Sequence, residues 1–218
     1  MKHVGIVLIA VMLGIAATAC EPAAAGQAHQ DKAAIFFSDS VWDWSMGPVH
    51  QEWMKQGITV VDSTHEGWGL TFSPGVDVPG QTVRQEWSDR VSSTFGLMDL
   101  SKNPELVVNF GINDCNAQHG VMTTYGADIA NFLSAVPASV RVNFVKVRHM
   151  TGAEVVNCAE TVNSLWTTAL AGRPNSEIWD YPTEFNSTTH PEWFKDEFHL
   201  STAGAQHLAT WSLPLVKN

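Results

Sequence analysis

Five short apolar segments, separated by stretches with helical spacing, constrain the fold of this sequence more than any other feature. Continuous apolar runs are typical of strands buried on both faces, and strands that alternate with helices build a parallel sheet covered by helices. We therefore predict a single-domain, three-layer α/β/α sandwich around a mainly parallel five-stranded sheet. The predicted strands lie at 33–41, 58–61, 106–110, 140–147 and 177–179, and the predicted helices at 42–54, 81–95, 125–136, 153–170 and 202–211.

The first nineteen residues have the pattern of an export signal. Lys2 and His3 precede an apolar segment over 4–17, which is short for a membrane span and ends in small residues before Cys20. These small residues resemble a bacterial lipobox, which implies a lipidated Cys20 and a protein anchored to the outer face of the cell membrane. Ordinary secretion with cleavage nearby is the alternative. We expect a tether over 20–31 and the folded domain over 32–218.

Charge and cysteine content narrow the possible partners and the compartment. The chain of 218 residues carries a formal net charge of −10 and has no basic cluster, so binding to nucleic acid is not expected. Besides Cys20, only Cys115 and Cys158 are present, in a compartment that tolerates disulfides. We predict that these two cysteines pair; two free buried thiols are the alternative.

Ser40 follows the first predicted strand and is our candidate nucleophile. Open parallel sheets place their chemistry just past the carboxyl ends of the strands. A serine hydroxyl becomes a good nucleophile only when a histidine takes its proton, an acid orients that histidine and donors stabilise the oxyanion. The rest of the chain must supply these groups.

Two further motifs offer them. Gly111-Ile112-Asn113-Asp114 follows the third predicted strand, where the side-chain amide of Asn113 could donate to an oxyanion. Asp196-Glu197-Phe198-His199 precedes the last predicted helix and could supply the acid and the base. Each motif alone is also compatible with an ordinary turn or a helix cap. Their combination and order along the chain favour a catalytic site.

Together these motifs resemble the SGNH hydrolases, also called GDSL-type esterases, over the whole mature domain. The family's Gly-Asp-Ser block matches residues 38–40, its Gly-x-Asn-Asp block matches 111–114, and its Asp-x-x-His block matches 196–199. The resemblance implies Ser40 as nucleophile, His199 as base and Asp196 as the orienting acid, on a flavodoxin-like SGNH fold. Ser38 stands where the family usually has glycine, so a positive φ at this position would be strained.

The resemblance also implies an oxyanion hole. It would consist of the Ser40 amide, the Asn113 side chain and the amide of a glycine in the second block. The family pattern, aligned on Val60-Val61-Asp62, selects Gly67, with Gly69 and Gly80 as alternatives.

Several tryptophans lie near the predicted catalytic edge. We expect Trp42, Trp44, Trp68 and Trp193, together with Gly69, to contribute a surface for an acyl group or a sugar ring. His190, Asp196 and His199 could be imagined as metal ligands, but no metal-binding motif supports them, and we expect neither a metal nor a cofactor.

These observations predict an exported, lipid-anchored serine ester hydrolase that acts on a small-molecule or carbohydrate ester. The segment 190–196 is similar to the ends of cell-surface SGNH proteins that move O-acetyl groups on wall polysaccharides, which favours an acetyl ester. Two alternatives stay open: an O-acetyltransferase for cell-wall polysaccharide, and a non-catalytic SGNH-fold binding protein. The sequence does not indicate an oligomeric state.

Overall fold

The computed structural model describes residues 32–71, 83–115, 124–148 and 153–216. The predicted signal, the tether, the lipidation site Cys20 and the alternative oxyanion residue Gly80 therefore lie outside the described residues. No helix among the described residues is long and apolar enough to cross a membrane.

The centre of the molecule is a five-stranded sheet in which all pairings are parallel, as predicted. The strand order is β2-β1-β3-β4-β5. Each strand is short, and those in the middle of the sheet are buried almost throughout. The strands are β1 (Ala33–Ser38), β2 (Thr59–Asp62), β3 (Glu105–Asn109), β4 (Arg141–Val145) and β5 (Ser176–Trp179).

The described residues form seven α-helices and three 3₁₀ turns around the sheet. The helices are α1 (Ser40–Asp43), α2 (Met46–Lys55), α3 (Val83–Gly96), α4 (Tyr125–Ala135), α5 (Ala153–Leu170), α6 (Tyr181–Glu184) and α7 (Thr202–Ser212). The 3₁₀ turns are Leu100–Lys102, Pro191–Trp193 and Leu213–Leu215.

The chain between β1 and β2 differs from the prediction. The first strand ends at Ser38 because Asp39 caps the following helix, accepting a hydrogen bond from the Val41 N–H at 3.0 Å. Ser40 and Val41 are therefore helical. The predicted single helix over 42–54 is divided in two by a turn at Trp44 and Ser45, where the Ser45 hydroxyl donates to the Val41 carbonyl at 3.0 Å.

Neighbouring residues of β1 show that the sheet is covered on both faces. Successive side chains of a strand point to opposite faces. Phe36 contacts Trp42 and Trp53 of the first two helices, whereas Phe37 contacts Trp87 of α3 and Phe132 of α4. The sheet thus lies between two aromatic cores, which is the predicted three-layer arrangement.

The strand order creates a crevice at one end of the sheet. From β1 the chain moves to β2 on one side and then returns to β3 on the other, so the connections that follow β1 and β3 diverge. Ligand sites of open α/β sheets lie at such a switch point, outside the carboxyl ends of the strands. Ser40 and Asn113 follow these two strands directly.

Candidate active site

Ser40 is the first residue of α1, one residue after the Asp39 cap. The preceding Ser38 is buried at the end of β1, and its hydroxyl donates to the Asn109 carbonyl at 3.1 Å. Among the described residues, Asn103 is the only residue other than glycine that has a positive φ, so Ser38 does not have one. Ser38 is therefore unstrained, and its hydroxyl joins the ends of β1 and β3 where the family pattern has glycine.

Asp39 is a buried acid directly beside the candidate nucleophile. Burial raises its pKa to about 8, even though the Val41 N–H stabilises the charged form. The negative charge of Asp114 raises this pKa further. The neutral form of Asp39 is thus favoured in the folded protein at neutral pH.

Residues 194–200 form a short hairpin that presents His199, and we call it the histidine hairpin. Phe194 pairs with Leu200 in an antiparallel bridge, and the Lys195 N–H donates to the His199 carbonyl at 2.9 Å. Within the turn, Asp196 Oδ1 accepts the N–H groups of Phe198 and His199, each at 2.8 Å. The Asp-x-x-His spacing is therefore sufficient to fold the turn locally, because its acid satisfies the backbone donors.

The structure brings the three candidate catalytic residues together. His199 Nδ1 lies 2.9 Å from Asp196 Oδ2, and its Nε2 lies 3.0 Å from Ser40 Oγ. With the imidazole proton on Nδ1, that nitrogen donates to the carboxylate and Nε2 accepts from the serine hydroxyl. The arrangement has the connectivity of a nucleophile, a base and an orienting acid.

Asp196 keeps its negative charge over a wide pH range. Burial alone would raise the pKa of this carboxyl, but the His199 N–H, the His199 imidazole and the Phe198 N–H outweigh it. The result is a pKa lowered to about 2. The acid is thus charged at neutral pH.

Two residues outside the motifs contact the histidine hairpin. Arg148, which follows β4, donates a hydrogen bond to the Glu197 carbonyl, and its guanidinium lies 4.1 Å from the ring centroid of Phe194. Trp44 stacks on the imidazole of His199, with centroids 3.9 Å apart. Sequence reasoning did not find Arg148, because an arginine after a strand matches no motif.

The candidate site also includes residues 63–71, which we call the glycine loop. The loop runs past the end of β1, where the His65 N–H donates to the Ser38 carbonyl at 3.0 Å. Gly67 has a φ of 77°, in the region that favours glycine. Asn113 Nδ2 donates to the Trp68 carbonyl at 2.8 Å, so Asn113 and Gly67 lie at the same edge of the crevice. The second amide hydrogen of Asn113 is left for another acceptor.

Asp114 fixes the end of the glycine loop. Its carboxylate accepts the Leu70 N–H at 2.9 Å, the Thr71 N–H at 2.8 Å and the Thr71 hydroxyl at 2.6 Å. Burial raises the pKa of Asp114, which these hydrogen bonds oppose. Gly69 lies so close that a Cβ atom there would be 2.7 Å from the Asp114 carboxylate. Asp114 belongs to a motif found in the sequence, but the motif does not indicate that Leu70 and Thr71 are its partners.

The predicted disulfide between Cys115 and Cys158 is present. Cys115 ends the turn that carries Asn113 and Asp114, and Cys158 lies in α5. The bond therefore ties this turn to a long helix of the outer layer.

Three residues expected on a substrate surface are engaged elsewhere. Trp42 is fully buried against Phe36, because α1 turns its side chain into the core. The Trp193 ring is stacked on two imidazoles, those of His190 and His207, with centroids 3.8 and 4.0 Å away. Gly69 is buried against Asp114. The burial of Trp42 and Gly69 does not favour contact with substrate, and contact of Trp193 with substrate stays a prediction.

Trp68 keeps a position beside the crevice. Its side chain is partly buried, with the Arg90 guanidinium 4.2 Å from the ring centroid and the His65 imidazole at 4.2 Å. Trp68 and Trp44 are thus the two tryptophans of the expected surface that lie next to candidate catalytic groups. The described residues contain no group of three or more His, Cys, Asp or Glu side chains placed to hold a metal ion.

Solved structures with the same fold include a lipolytic protein of the G-D-S-L family from Veillonella parvula. The two chains are 13% identical over 84% of this chain and 97% of that chain, with a TM-score of 0.63. An acetylxylan esterase from Geobacillus stearothermophilus is 15% identical over 84% of this chain and 92% of that chain, with a TM-score of 0.56. At such identities the similarity establishes the fold.

A third similar structure is the C-terminal catalytic domain of peptidoglycan O-acetyltransferase A from Streptococcus pneumoniae. It is 14% identical over 82% of this chain and 89% of that chain, with a TM-score of 0.57. No protein-family model matches the sequence, and no curated protein matches it significantly. The fold shared with these structures is that of the SGNH hydrolases.

Proposed function

We propose that this protein is an SGNH-type serine ester hydrolase that cleaves acetyl esters of carbohydrates. The observation that carries the proposal is the continuous contact from Asp196 through His199 to Ser40, with 2.9 and 3.0 Å between the bonded atoms. The substrate class is supported by similar folds whose names describe acetyl esterases and an O-acetyltransferase.

In the proposed reaction, His199 Nε2 takes the proton of Ser40 as the serine oxygen attacks the ester carbonyl. The tetrahedral oxyanion is stabilised by the Ser40 amide, the Gly67 amide and the free hydrogen of the Asn113 side chain. His199 then gives the proton to the leaving alkoxide, and an acyl group stays on Ser40. Water activated by the same histidine attacks this acyl-enzyme and releases the carboxylic acid.

The charge of Asp196 supports this role for His199. A fixed carboxylate on Nδ1 selects the tautomer whose Nε2 can accept a proton, and it stabilises the imidazolium that forms. Because the pKa of Asp196 is lowered to about 2, the acid stays charged at neutral pH.

Transfer of the acetyl group to a sugar hydroxyl is the second candidate function. It uses the same acyl-enzyme and differs only in the final acceptor, and it is favoured by the similarity to the O-acetyltransferase domain. A binding protein without turnover was suggested by Ser38, with a tryptophan-lined cleft as its binding surface. Since Ser38 is unstrained and hydrogen-bonded, that reason no longer applies.

We also propose that the protein is exported and anchored by a lipid on Cys20. The support is the signal pattern of residues 1–19 and the small residues before Cys20. Mass spectrometry of the mature amino terminus tests this proposal. A diacylated Cys20 is expected, and an unmodified residue at the amino terminus would contradict it.

Hydrolysis of p-nitrophenyl acetate tests the catalytic proposal. Turnover is expected for the parent protein, and near-complete loss is expected for Ser40→Ala and for His199→Ala. His190→Ala is a matched control, because His190 is another histidine whose Nδ1 contacts a carboxylate, that of Glu192 at 3.0 Å. A folded parent without activity toward this ester and toward acetylated xylan would contradict hydrolysis. Acetyl transfer to a sugar acceptor would then be measured.

A further inference from the structure

Trp44 contacts both the nucleophile segment and the histidine hairpin. It follows α1, four residues after Ser40, and its backbone N–H donates to the Ser40 carbonyl at 3.2 Å. Its indole lies against the imidazole of His199, with ring centroids 3.9 Å apart and an angle of 20° between the planes. One residue therefore connects the two segments that must meet for proton transfer.

The same indole has a second contact with the hairpin. The Lys195 ammonium lies 4.5 Å from a Trp44 ring centroid, and Lys195 directly precedes Asp196. Cations are attracted to the face of an indole ring. Trp44 thus contacts the histidine hairpin both at its base, His199, and beside its acid, Asp196.

From these contacts we infer that Trp44 is a positioning residue for His199, an inference that rests on the proposed esterase function. Asp196 fixes Nδ1 of the imidazole, but a single hydrogen-bonded edge leaves the ring free to tilt about that edge. The indole face removes this freedom and directs Nε2 at Ser40 Oγ, 3.0 Å away. Displacements of about 1 Å in such groups reduce rates strongly.

The indole also suits the charge that develops on the histidine. During attack the imidazole becomes an imidazolium, and an aromatic face stabilises a cation that is stacked on it. Trp44 is 42% exposed, so its ring is not part of the buried core. Its stacking on His199 gives this exposed ring a role in proton transfer, in contrast to the expected role as a wall for substrate.

The two roles predict different kinetics. A residue that contacts substrate changes KM and changes the preference among acyl or alcohol groups. A residue that positions the base lowers kcat by a similar factor for every ester and leaves KM unchanged. It also lowers the reactivity of Ser40 toward a sulfonyl fluoride, because this reagent depends on the same proton transfer and on few substrate contacts.

The test compares Trp44→Phe, which keeps an aromatic face, with Trp44→Leu, which keeps an apolar side chain without one. Lys195→Met is the control for the nearby charge. For each protein we would measure the rate of Ser40 sulfonylation by phenylmethylsulfonyl fluoride, and kcat and KM for p-nitrophenyl acetate and butyrate. Ring-proton shifts of His199, measured by NMR, report the stacking itself and the integrity of the fold.

We expect Trp44→Leu to lower both the sulfonylation rate and kcat by about tenfold or more, equally for both esters and at unchanged KM. Trp44→Phe should retain most of the activity, and the upfield shift of the His199 ring protons should disappear in Trp44→Leu alone. Parent-like sulfonylation in Trp44→Leu, or a loss confined to KM, overturns the inference and leaves the proposed function intact. A parent whose Ser40 is not sulfonylated overturns the proposed function itself.

Discussion

The histidine hairpin and the glycine loop both bring groups to Ser40, but they are built in opposite ways. In the hairpin, the hydrogen bonds within the turn join residues two to four positions apart, and Asp196 takes part in three of them. The glycine loop is held by Asp114 and Asn113, whose partners lie 43 to 45 positions away. A site can therefore combine a locally folded base with an oxyanion region that depends on the whole sheet.

Because of this difference, the two regions should contribute differently to the catalytic rate and to the stability of the fold. The Asp196 side chain is 43% exposed, so its removal leaves the core intact while the base loses its orientation. Asp114 is fully buried, and its hydrogen bonds to the glycine loop exist only when the whole domain is folded. Substitutions in the hairpin should therefore change rates at constant stability, and substitutions under the glycine loop should change both.

The largest expected effect comes from Asp196. Asp196→Asn keeps a carbonyl oxygen for the backbone donors of the turn but removes the charge that orients and stabilises the imidazole. We expect kcat to fall by about 10⁴-fold in this variant, as it should in Asp196→Ala. Thermal unfolding of Asp196→Asn should match that of the parent. Substantial activity in Asp196→Asn would contradict the role of this acid.

Asn113 offers the next largest effect. Asn113→Leu keeps the approximate size of the side chain and removes the donor, so the oxyanion loses one hydrogen bond and the Trp68 carbonyl loses its partner. We expect kcat to decrease by about 10²- to 10³-fold with little change in KM. Steady-state kinetics with p-nitrophenyl acetate measures this, and a loss confined to KM would place Asn113 in substrate binding.

Gly69→Ala tests the non-local support of the glycine loop. The added methyl would meet the Asp114 carboxylate at 2.7 Å and displace it from the backbone groups of Leu70 and Thr71. We expect the free energy of unfolding to decrease by about 1–3 kcal/mol, together with a loss of activity. Gly47→Ala is the matched control, because a methyl there would meet nothing within 4 Å. Urea unfolding of both variants measures the difference.

The last prediction concerns Asp39, next to Ser40, and the dependence of stability on pH. Because its pKa is raised to about 8 in the folded protein, from 3.8, the folded state binds a proton that the unfolded state releases. Stability from this group is complete below about pH 4 and is lost as the pH rises through 8, by up to about 1.4 kcal/mol per pH unit. Asp39→Asn keeps a cap for α1 and should reduce this slope, measured by urea unfolding between pH 5 and 8. An unchanged slope would contradict a buried, protonated Asp39.

Features that depend on neighbouring residues could be predicted from the sequence. The apolar runs predicted the strands, most clearly β1, β3 and β4, because a strand buried on both faces needs little more than continuous apolar residues. The Asp196 and His199 pair was visible for a similar reason, since a four-residue motif contains nearly all the contacts of its turn. Local pattern and final geometry coincide in both cases.

Sequence reasoning was weakest where contacts with distant residues determine the position of a side chain. Trp42 and Trp193 lie near catalytic positions in sequence, but helix α1 directs Trp42 into the core and two imidazoles stack on Trp193. Arg148 and Gly69 matter through partners that no motif connects to them. The lack of strain at Ser38 likewise depends on Asn109, 71 positions away.

The most direct test of the account is to trap the acyl group on Ser40. The parent protein would be mixed with p-nitrophenyl acetate, quenched in acid within the first turnovers, digested and analysed by mass spectrometry. We predict an acetyl group on the peptide containing Ser40, located on the serine oxygen, with none at this position in Ser40→Ala or His199→Ala. An ester-cleaving parent that carries no acetyl group on Ser40, or an equally acetylated His199→Ala, would contradict the proposed triad.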